Sequence, residues 1–524
     1  MSLLFRKKSL ERLLAEANSS ESSLKKTLGM WSLVALGIGA IIGAGLFVRT
    51  AAAAADHAGS GVTLSFVVAA IGCAFAGLCY AEFAAMIPIA GSAYTYAYAT
   101  MGELVAWIIG WALIMEYALG AATVAIAWSE YLNNLLAGAI PYEWCHSPFE
   151  KLYKVTGDAI TSFPQELMAN LKDGALILSD DQYSTLSASL QSLVTIQSGI
   201  VNLPALVILL LLTLLLIKGT KESAMVNGII VFIKVAIVLL FIVIGWGFVN
   251  PANHEPYLIP QGTPGHDGIF TWGNFGILGG AAVVFFAFIG FDAVSTAAQE
   301  AKNPKRDMPI GILGSLVVCT ILYVLFSHVL TGVAHWSEFG AAGKEASVSY
   351  AINKYMVGYE WLGKSVTIAI LAGFSSVILV MLMGQSRVFF SMSKDGLIPP
   401  VFSALHPKFH TPYKSNALLF IFVGLFAAFV PGSVAGDLTS FGTLFAFVLV
   451  CAGIWIMRRK HPEINRPFKT PLVPLVPILG ILVCGFMIIA LDKFTLISAI
   501  VWMVVGLLVY FSYGNKHSKL KSQD

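Results

Sequence analysis

GIGAIIGAGLF, residues 37–47, puts four glycines, Gly37, Gly39, Gly43 and Gly45, inside an apolar run from Trp31 to Val48. Glycine costs an exposed helix about 1 kcal/mol relative to alanine, so this density has a cause. Two causes compete. Gly39 and Gly43 form a GxxxG pair, which lets a neighbouring helix approach closely. The same residues also let a helix come apart and expose its backbone. The surroundings of the run decide between them.

With 57% hydrophobic residues, 12% charged residues and a mean hydropathy of +0.79, the chain exceeds the apolar content of soluble domains. It belongs in a bilayer. The first 29 residues are polar and charged, and the first apolar run is long enough to span, so that run reads as a retained anchor and no cleaved leader is evident. Five of the six cysteines lie in apolar runs and none forms a CxxC pair, which argues against a disulfide framework; Cys145 alone sits in an aqueous stretch. The ten histidines show no HExxH spacing. No metal site and no cofactor are expected. The absence of a P-loop, a GxSxG elbow and a histidine pair in the spans argues against an enzyme.

About 20 apolar residues cross ~30 Å of hydrocarbon, and twelve such segments occur: 31–48, 61–86, 105–130, 199–217, 223–249, 276–297, 308–333, 362–390, 415–431, 437–457, 472–491 and 494–513. An even number puts both termini on one side. Placing them in the cytoplasm assigns 23 of the 32 lysines and arginines to that side, with 8 outside and Lys234 within a span, as the positive-inside rule requires. The net charge of +3 reflects this orientation and gives no reason to invoke nucleic acid. The longest connection, 131–198, then faces outward. Pieces at 162–176 and 184–198 have apolar spacing suited to short amphipathic helices, and the loop reads as a lid or decoration without its own core.

Two ionisable residues lie deep in hydrocarbon. Lys234, in IIVFIKVAIVLL, is eleven residues into its span, roughly 16 Å deep and near the midplane. Glu116, in GWALIMEYALG, is twelve residues into its own, roughly 18 Å deep. They are either a structural ion pair or protonatable groups beside a substrate cavity, since burial tunes both for proton exchange. Glu82 and Asp292 lie nearer the cytoplasmic ends of their spans and read as structural caps or as lining of an inward path.

The sixth span, GGAAVVFFAFIGFD at 279–292, repeats the combination of glycine and a polar group inside an apolar helix. Spans one and six cross in opposite directions. Interrupted segments at matching positions of two inverted halves point to a transporter site at the midplane. Unwound backbone offers amide hydrogens to a carboxylate and carbonyls to an ammonium group, so a zwitterion fits.

IIGAGLF on the first span, PIAGSAYTYAYATMGELVAWIIGW leading into the third, FFAFIGFDAVSTAAQEAKNPKRDMPIGI, GQSRVFFSMSKDGLIPP and HPKFHTPYKSNA together resemble the cationic amino acid transporter-like branch of the amino acid, polyamine and organocation superfamily. The resemblance covers nearly all of residues 25–515, and loop 131–198 is longer than that pattern leads one to expect. It implies an all-α integral membrane protein with twelve transmembrane helices in a 5+5 inverted repeat, the leucine-transporter-like fold, with helices 1 and 6 broken. The expected division is a cytoplasmic segment 1–29, a transporter core 30–457, peripheral spans 458–513 and a cytoplasmic tail 514–524. The resemblance further implies that the substrate carboxylate meets the amides of Gly43, Ala44 and Gly45. The ammonium would meet the carbonyls of Ile41, Phe286 and Ile289, with Ala287 in the break and Phe286 or Phe288 as an aromatic gate. Lys234 takes the place of a sodium ion in proton-coupled members, with Ser375 and Ser376 as neutral partners. Glu116, from its depth in the span, is expected to bind substrate and to join Lys234 in proton coupling. Phe374 would line the side-chain pocket and favour small or medium neutral amino acids. The expected function is import of amino acids by proton symport with alternating access across the plasma (inner) membrane, with membrane lipid as the surrounding partner. Sodium-dependent or exchange transport, and a non-transporting sensor, are the alternatives.

Overall fold

Each of the twelve apolar runs becomes helix, because the bilayer leaves backbone N–H and C=O groups no other partners. A computed structural model of the chain describes residues 6–8, 26–43, 45–89, 91–164, 167, 171–172, 174–178, 180–260, 276–341, 347–489, 491 and 493–520. The elements used below are α1 (Met30–Ile41), α2 (Gly45–Ala53), α3 (Val62–Met86), α4 (Ser92–Thr100), α5 (Glu103–Leu135), α6 (Leu203–Lys218) and α7 (Thr220–Gly245). There follow α8 (Ile277–Phe285), α9 (Ala293–Thr296), α10 (Pro304–Val333), α11 (Glu360–Lys394), α12 (Tyr413–Phe429), α13 (Gly432–Lys460), α14 (Leu475–Ile489) and α15 (Lys493–Val509). Among the described residues, eight helices are long and apolar enough to cross a bilayer, and nine if the bent pair α1 and α2 counts as one; α6, α12 and α14 are shorter apolar helices. The protein is therefore a predominantly helical, multi-pass membrane protein.

The outer surface matches a lipid surround. On α6, Val207, Leu210, Leu211 and Leu214 are exposed, and on α15 Ile497, Ile500, Val501, Val504 and Leu508 are exposed. Helical spacing lines these residues into stripes, which face lipid. The interior is a large apolar core that also buries polar side chains such as Glu116, Lys234 and Asp292, and α1 packs within it against α7, α9, α10 and α11.

Both terminal segments gather on one face. Arg6 Nη1 donates to the Leu520 carbonyl at 3.4 Å, Lys8 pairs with Asp395 at 2.7 Å, and the Lys519 amide donates to the Asp395 carbonyl at 3.1 Å. On that face Glu82 receives Arg458 twice at 2.9 Å and the Thr470 amide at 2.7 Å, and it pairs with Arg466 at 3.1 Å. Glu82 is a structural anchor for the connection into α14.

The 131–198 connection departs from the helical expectation. Its strands β1 (Lys151–Thr156), β2 (Leu171–Lys172), β3 (Ala175–Leu178) and β4 (Thr195–Ser198) form one antiparallel sheet in the order β2-β3-β1-β4. Tyr153 pairs with Leu178 on one side and Ile196 on the other. The connection also has a core of its own, built from Tyr153, Val155, Phe163, Leu176 and Leu178, which corrects the expectation of a coreless decoration. KLYKVT at 151–156 buries alternate residues, Tyr153 and Val155, with the period of a half-buried strand. Short α-helical turns at 180–185 and 188–191 precede β4, in place of the amphipathic helix expected over 184–198. Cys145, expected in water, is buried.

Candidate functional site

The first apolar run does break. α1 ends at Ile41; Ile42 turns extended at φ −75°, ψ 102°, and the chain resumes as α2 at an angle of 42°. The Gly43 carbonyl accepts from the amides of Leu46 and Phe47 at 3.1 and 3.5 Å, which starts the second half. The glycines divide their labour. Gly37 packs on Ser315 of α10, and Gly39 on Asn227 of α7 and Ser376 of α11, so both serve close packing. Gly43 and Gly45 belong to the break. Ala44 lies outside the described residues.

The sixth run breaks as well. α8 tightens into a 3₁₀ turn at Phe286–Phe288, Ile289 turns extended at φ −58°, ψ 135°, and Gly290 takes φ +109° before the short α9. A positive φ of that size is glycine territory. The two breaks touch: the space beside Gly45 is filled by the Ala287 backbone. The Tyr323 hydroxyl of α10 is placed 2.8 Å from the Ile41 carbonyl and 2.9 Å from the Ala287 carbonyl, bridging an orphaned acceptor of each.

A cavity of about 20 Å³ lies at the crossing, lined by Ile41, Gly43, Gly45, Phe286 and Ile289 from the breaks, and by Val124, Val377, Met381 and Thr439 from α5, α11 and α13. Among the described residues, no charged side chain lines it. That volume holds about one water, so a larger ligand requires the helices to part. Phe286 is one of the lining residues, with the Arg49 guanidinium 5.4 Å from its ring centroid. Phe288 is not in the lining; it is buried against Phe66 and Tyr323. Phe374 lies outside the lining, edge-on to Tyr131 at 5.4 Å. Val377 and Met381, on the same face of α11, take the place expected for it.

Lys234 is fully buried beside the first break. Its Nζ donates to the Gly39 carbonyl at 2.9 Å, the Ile42 carbonyl at 2.8 Å and Ser376 Oγ at 3.4 Å. Its stem runs past Gly373, where a Cβ would lie 3.5 Å from Lys234 Cδ, in ordinary van der Waals contact. Ser376 Oγ is also within hydrogen-bond distance of the Gly39 carbonyl and of Asn227 Oδ1. Ser375 instead bonds the Leu371 carbonyl. Lys234 therefore clamps the carbonyls freed by the break, as a bound cation would.

Glu116 is not paired with Lys234. It faces Asp292, the second residue after Gly290 in the second break, together with Thr443, and the neighbouring Tyr117 hydroxyl donates to Asp292. Glu116, Asp292 and Tyr117 are fully buried. Both Glu116 carboxyl oxygens and Asp292 Oδ1 are buried without a hydrogen-bond partner among the described residues. Glu116 and Asp292 stand out separately in the sequence, but nothing there signals their meeting. Tyr323 does not stand out at all.

The comparisons agree with this architecture. An amino acid permease family model matches residues 28–492, and a model for the C-terminus of such permeases matches residues 468–518. The chain belongs to the amino acid permease family, a family of membrane transporters. It is 43% identical over 517 residues to the branched-chain amino acid permease BcaP of Bacillus subtilis, covering 99% of each chain. It is 39% identical to the methylthioribose transporter of the same organism, over 99% of this chain and 100% of that one. It is also 30% identical to human cationic amino acid transporter 4, over 88% of this chain and 64% of that one.

Proposed function

We propose that this permease imports small or medium neutral amino acids across the plasma membrane by proton symport, alternating access between the two faces. The observation that carries this reading is Lys234, a cationic side chain bonded to two carbonyls of the broken first span at membrane depth. A fixed, titratable ammonium there supplies the charge a sodium ion would otherwise supply, and its protonation then governs the shape of the break. Glu116, fully buried, is the second proton-coupling residue in this reading. The twelve helices act as a 5+5 inverted repeat, core 30–457 and peripheral spans 458–513, with both termini cytoplasmic. Amides at Gly43, Ala44 and Gly45 take the substrate carboxylate, and carbonyls at Ile41, Phe286 and Ile289 take its ammonium, with Ala287 packed between. The small cavity opens to one face at a time, with Phe286 as its aromatic gate.

The deciding experiment loads purified protein into liposomes and imposes proton and sodium gradients separately. Accumulation of leucine or alanine with acid outside, and none with sodium alone, is the expected result; accumulation driven only by sodium, or only by counter-substrate, would sink the coupling claim.

Side-chain preference follows from Val124, Val377 and Met381, with no carboxylate in the lining among the described residues to receive a cation. Burying an unpaired charge costs several kcal/mol. In a competition assay, valine, leucine and alanine are expected to displace labelled substrate at concentrations at least about tenfold below arginine or lysine, a difference of ~1.4 kcal/mol. Equal potency for arginine would overturn the assignment of these residues to the side-chain pocket. The names of the relatives cover branched-chain amino acids, methylthioribose and cationic amino acids, so this pocket is where such permeases would be expected to differ.

A further inference from the structure

On the face opposite the termini, apolar side chains stay exposed where the chain leaves α5 and enters α6. Leu136 follows the last residue of α5 and Leu203 opens α6, and both are exposed. The Asn202 amide donates to the Ala428 carbonyl in the last turn of α12 at 3.3 Å, so this entrance lies at the ends of apolar helices. Leu203, Val207, Leu210 and Leu214 form the exposed stripe of α6 that faces lipid. Ile200, three residues ahead of it, is exposed too.

The first part of the 131–198 connection is tied back to this entrance. The Glu143 carbonyl accepts from the Ile200 and Val201 amides at 2.8 and 3.1 Å, so the exposed Trp144 stands beside Ile200. The Gly199 amide donates to the Glu150 carbonyl at 3.1 Å, and a Cβ at Gly199 would overlap the His146 and Ser147 carbonyls. The turn at 147–150 is closed twice: the Glu150 amide donates to the Ser147 carbonyl at 3.1 Å, and the Glu150 carboxylate accepts from the Ser147 amide at 2.7 Å. On this turn Phe149 is 76% exposed, and Lys151 beyond it is exposed as well. Exposed apolar residues scattered singly need no cause. Here an aromatic pair adjoins the root of a lipid-facing helix and is held there by backbone bonds. Trp246 after α7 and Trp361 on α11 are exposed on the same face, and tryptophan collects at the level of lipid headgroups.

We propose that Trp144, Phe149 and Ile200 seat the sheet domain of the 131–198 connection in the phospholipid interface beside α6, with Lys151 among the headgroup phosphates. The occupant is lipid because the patch continues a surface that lipid already covers, and because a basic side chain follows the aromatic ones, as at the ends of spanning helices. The rings enter the boundary between headgroups and acyl chains, and the ammonium stays in the polar layer. β1 starts from this seat, and Thr156 at its far end lies roughly 16 Å along the strand. The domain is thereby held at the α5–α6 edge of the bundle as a fixed foot, whereas a lid would have to leave that edge.

The test puts a fluorescent maleimide on one introduced cysteine at a time in the full chain in liposomes; the six native cysteines are buried and leave the new one to react. Trp144→Cys, Phe149→Cys and Ile200→Cys are the test positions, Val207→Cys on the α6 stripe is the lipid reference, and the exposed Thr156→Cys is the aqueous one. In phosphatidylcholine brominated on its acyl chains, emission is expected to drop at the three test positions and at Val207, and to hold at Thr156. Bromines near the headgroup are expected to quench the test positions more than bromines near the chain ends, since interfacial anchors reach only about 5–10 Å into the boundary. Emission at Trp144 and Phe149 that ignores brominated lipid and responds to aqueous iodide overturns the seat. Energy transfer between labelled copies in place of lipid quenching assigns the patch to a second copy of the chain and also overturns it. Because the probe is itself apolar, Phe149→Asp is read by the probe at Trp144. Quenching there is expected to fall, and quenching equal to that beside the native ring overturns Phe149 as an anchor. With two independent ring positions, loss of folding in one variant leaves the other decisive.

Discussion

Lys234→Ala is expected to abolish accumulation driven by a pH gradient in liposomes and to leave substrate binding measurable. The ammonium donates to the Gly39 and Ile42 carbonyls at the break. Charge-assisted hydrogen bonds contribute about 1.5–3 kcal/mol each, so losing two weakens the clamped geometry of the break by roughly a hundredfold or more in population at 1.4 kcal/mol per decade. Alanine also removes the proton that the lysine carries. Lys234→Arg separates the two effects: it keeps a charge near the carbonyls but does not release a proton in the working range, and its planar fork must fit beside Gly373 and Ser376. Arginine is expected to retain binding, measured as ligand-induced thermal stabilisation, with coupling still lost. Wild-type accumulation in either variant would refute the role.

The clamp explains why its neighbours are small or polar. Gly39 admits Asn227 and Ser376, and Ser376 bridges the Gly39 carbonyl and Asn227. Packing and chemistry share the same glycines here, so the packing and unwinding explanations of GIGAIIGAGLF both hold, for different residues.

How much of this was legible depended on distance along the chain. Apolar runs, glycine-rich breaks and the depth of Lys234 are local properties, and a bilayer converts them directly into structure. Tyr323 carries no such signal: it is one tyrosine on an apolar helix, and its carbonyl partners lie on two other spans. The meeting of Glu116 with Asp292 likewise depends on how α5 packs against the second break. The pocket position expected of Phe374 falls about one helical turn further along, roughly 5 Å, because Val377 and Met381 continue the same face of α11. In the 131–198 connection the local signal exists, as alternation in KLYKVT, but the neighbouring pieces also fit a helical period, and the pairing of strands far apart in sequence decides between them.

Gly45→Ala is expected to eliminate transport. A Cβ at Gly45 would overlap the backbone of Ala287, with the Ala287 methyl group and amide also too close. A flexible side chain could rotate away; backbone cannot. The two broken segments must separate, and overpacking of this kind costs about 1–3 kcal/mol even where side chains can adjust. The separation displaces the Ile41 and Ala287 carbonyls that Tyr323 joins, so the loss falls on the site itself. Adding Ala287→Gly to this variant removes the clash with the methyl group but leaves the clash with the backbone, and partial recovery at most is expected. Gly228→Ala on α7 is the control, since nothing lies within 4 Å of a Cβ there, and it is expected to transport within about twofold of wild type while gaining slightly in helix stability. Thermal midpoints in detergent, read beside initial uptake rates, separate folding from function. Normal uptake by Gly45→Ala at an unchanged midpoint would show that the two breaks do not need to touch.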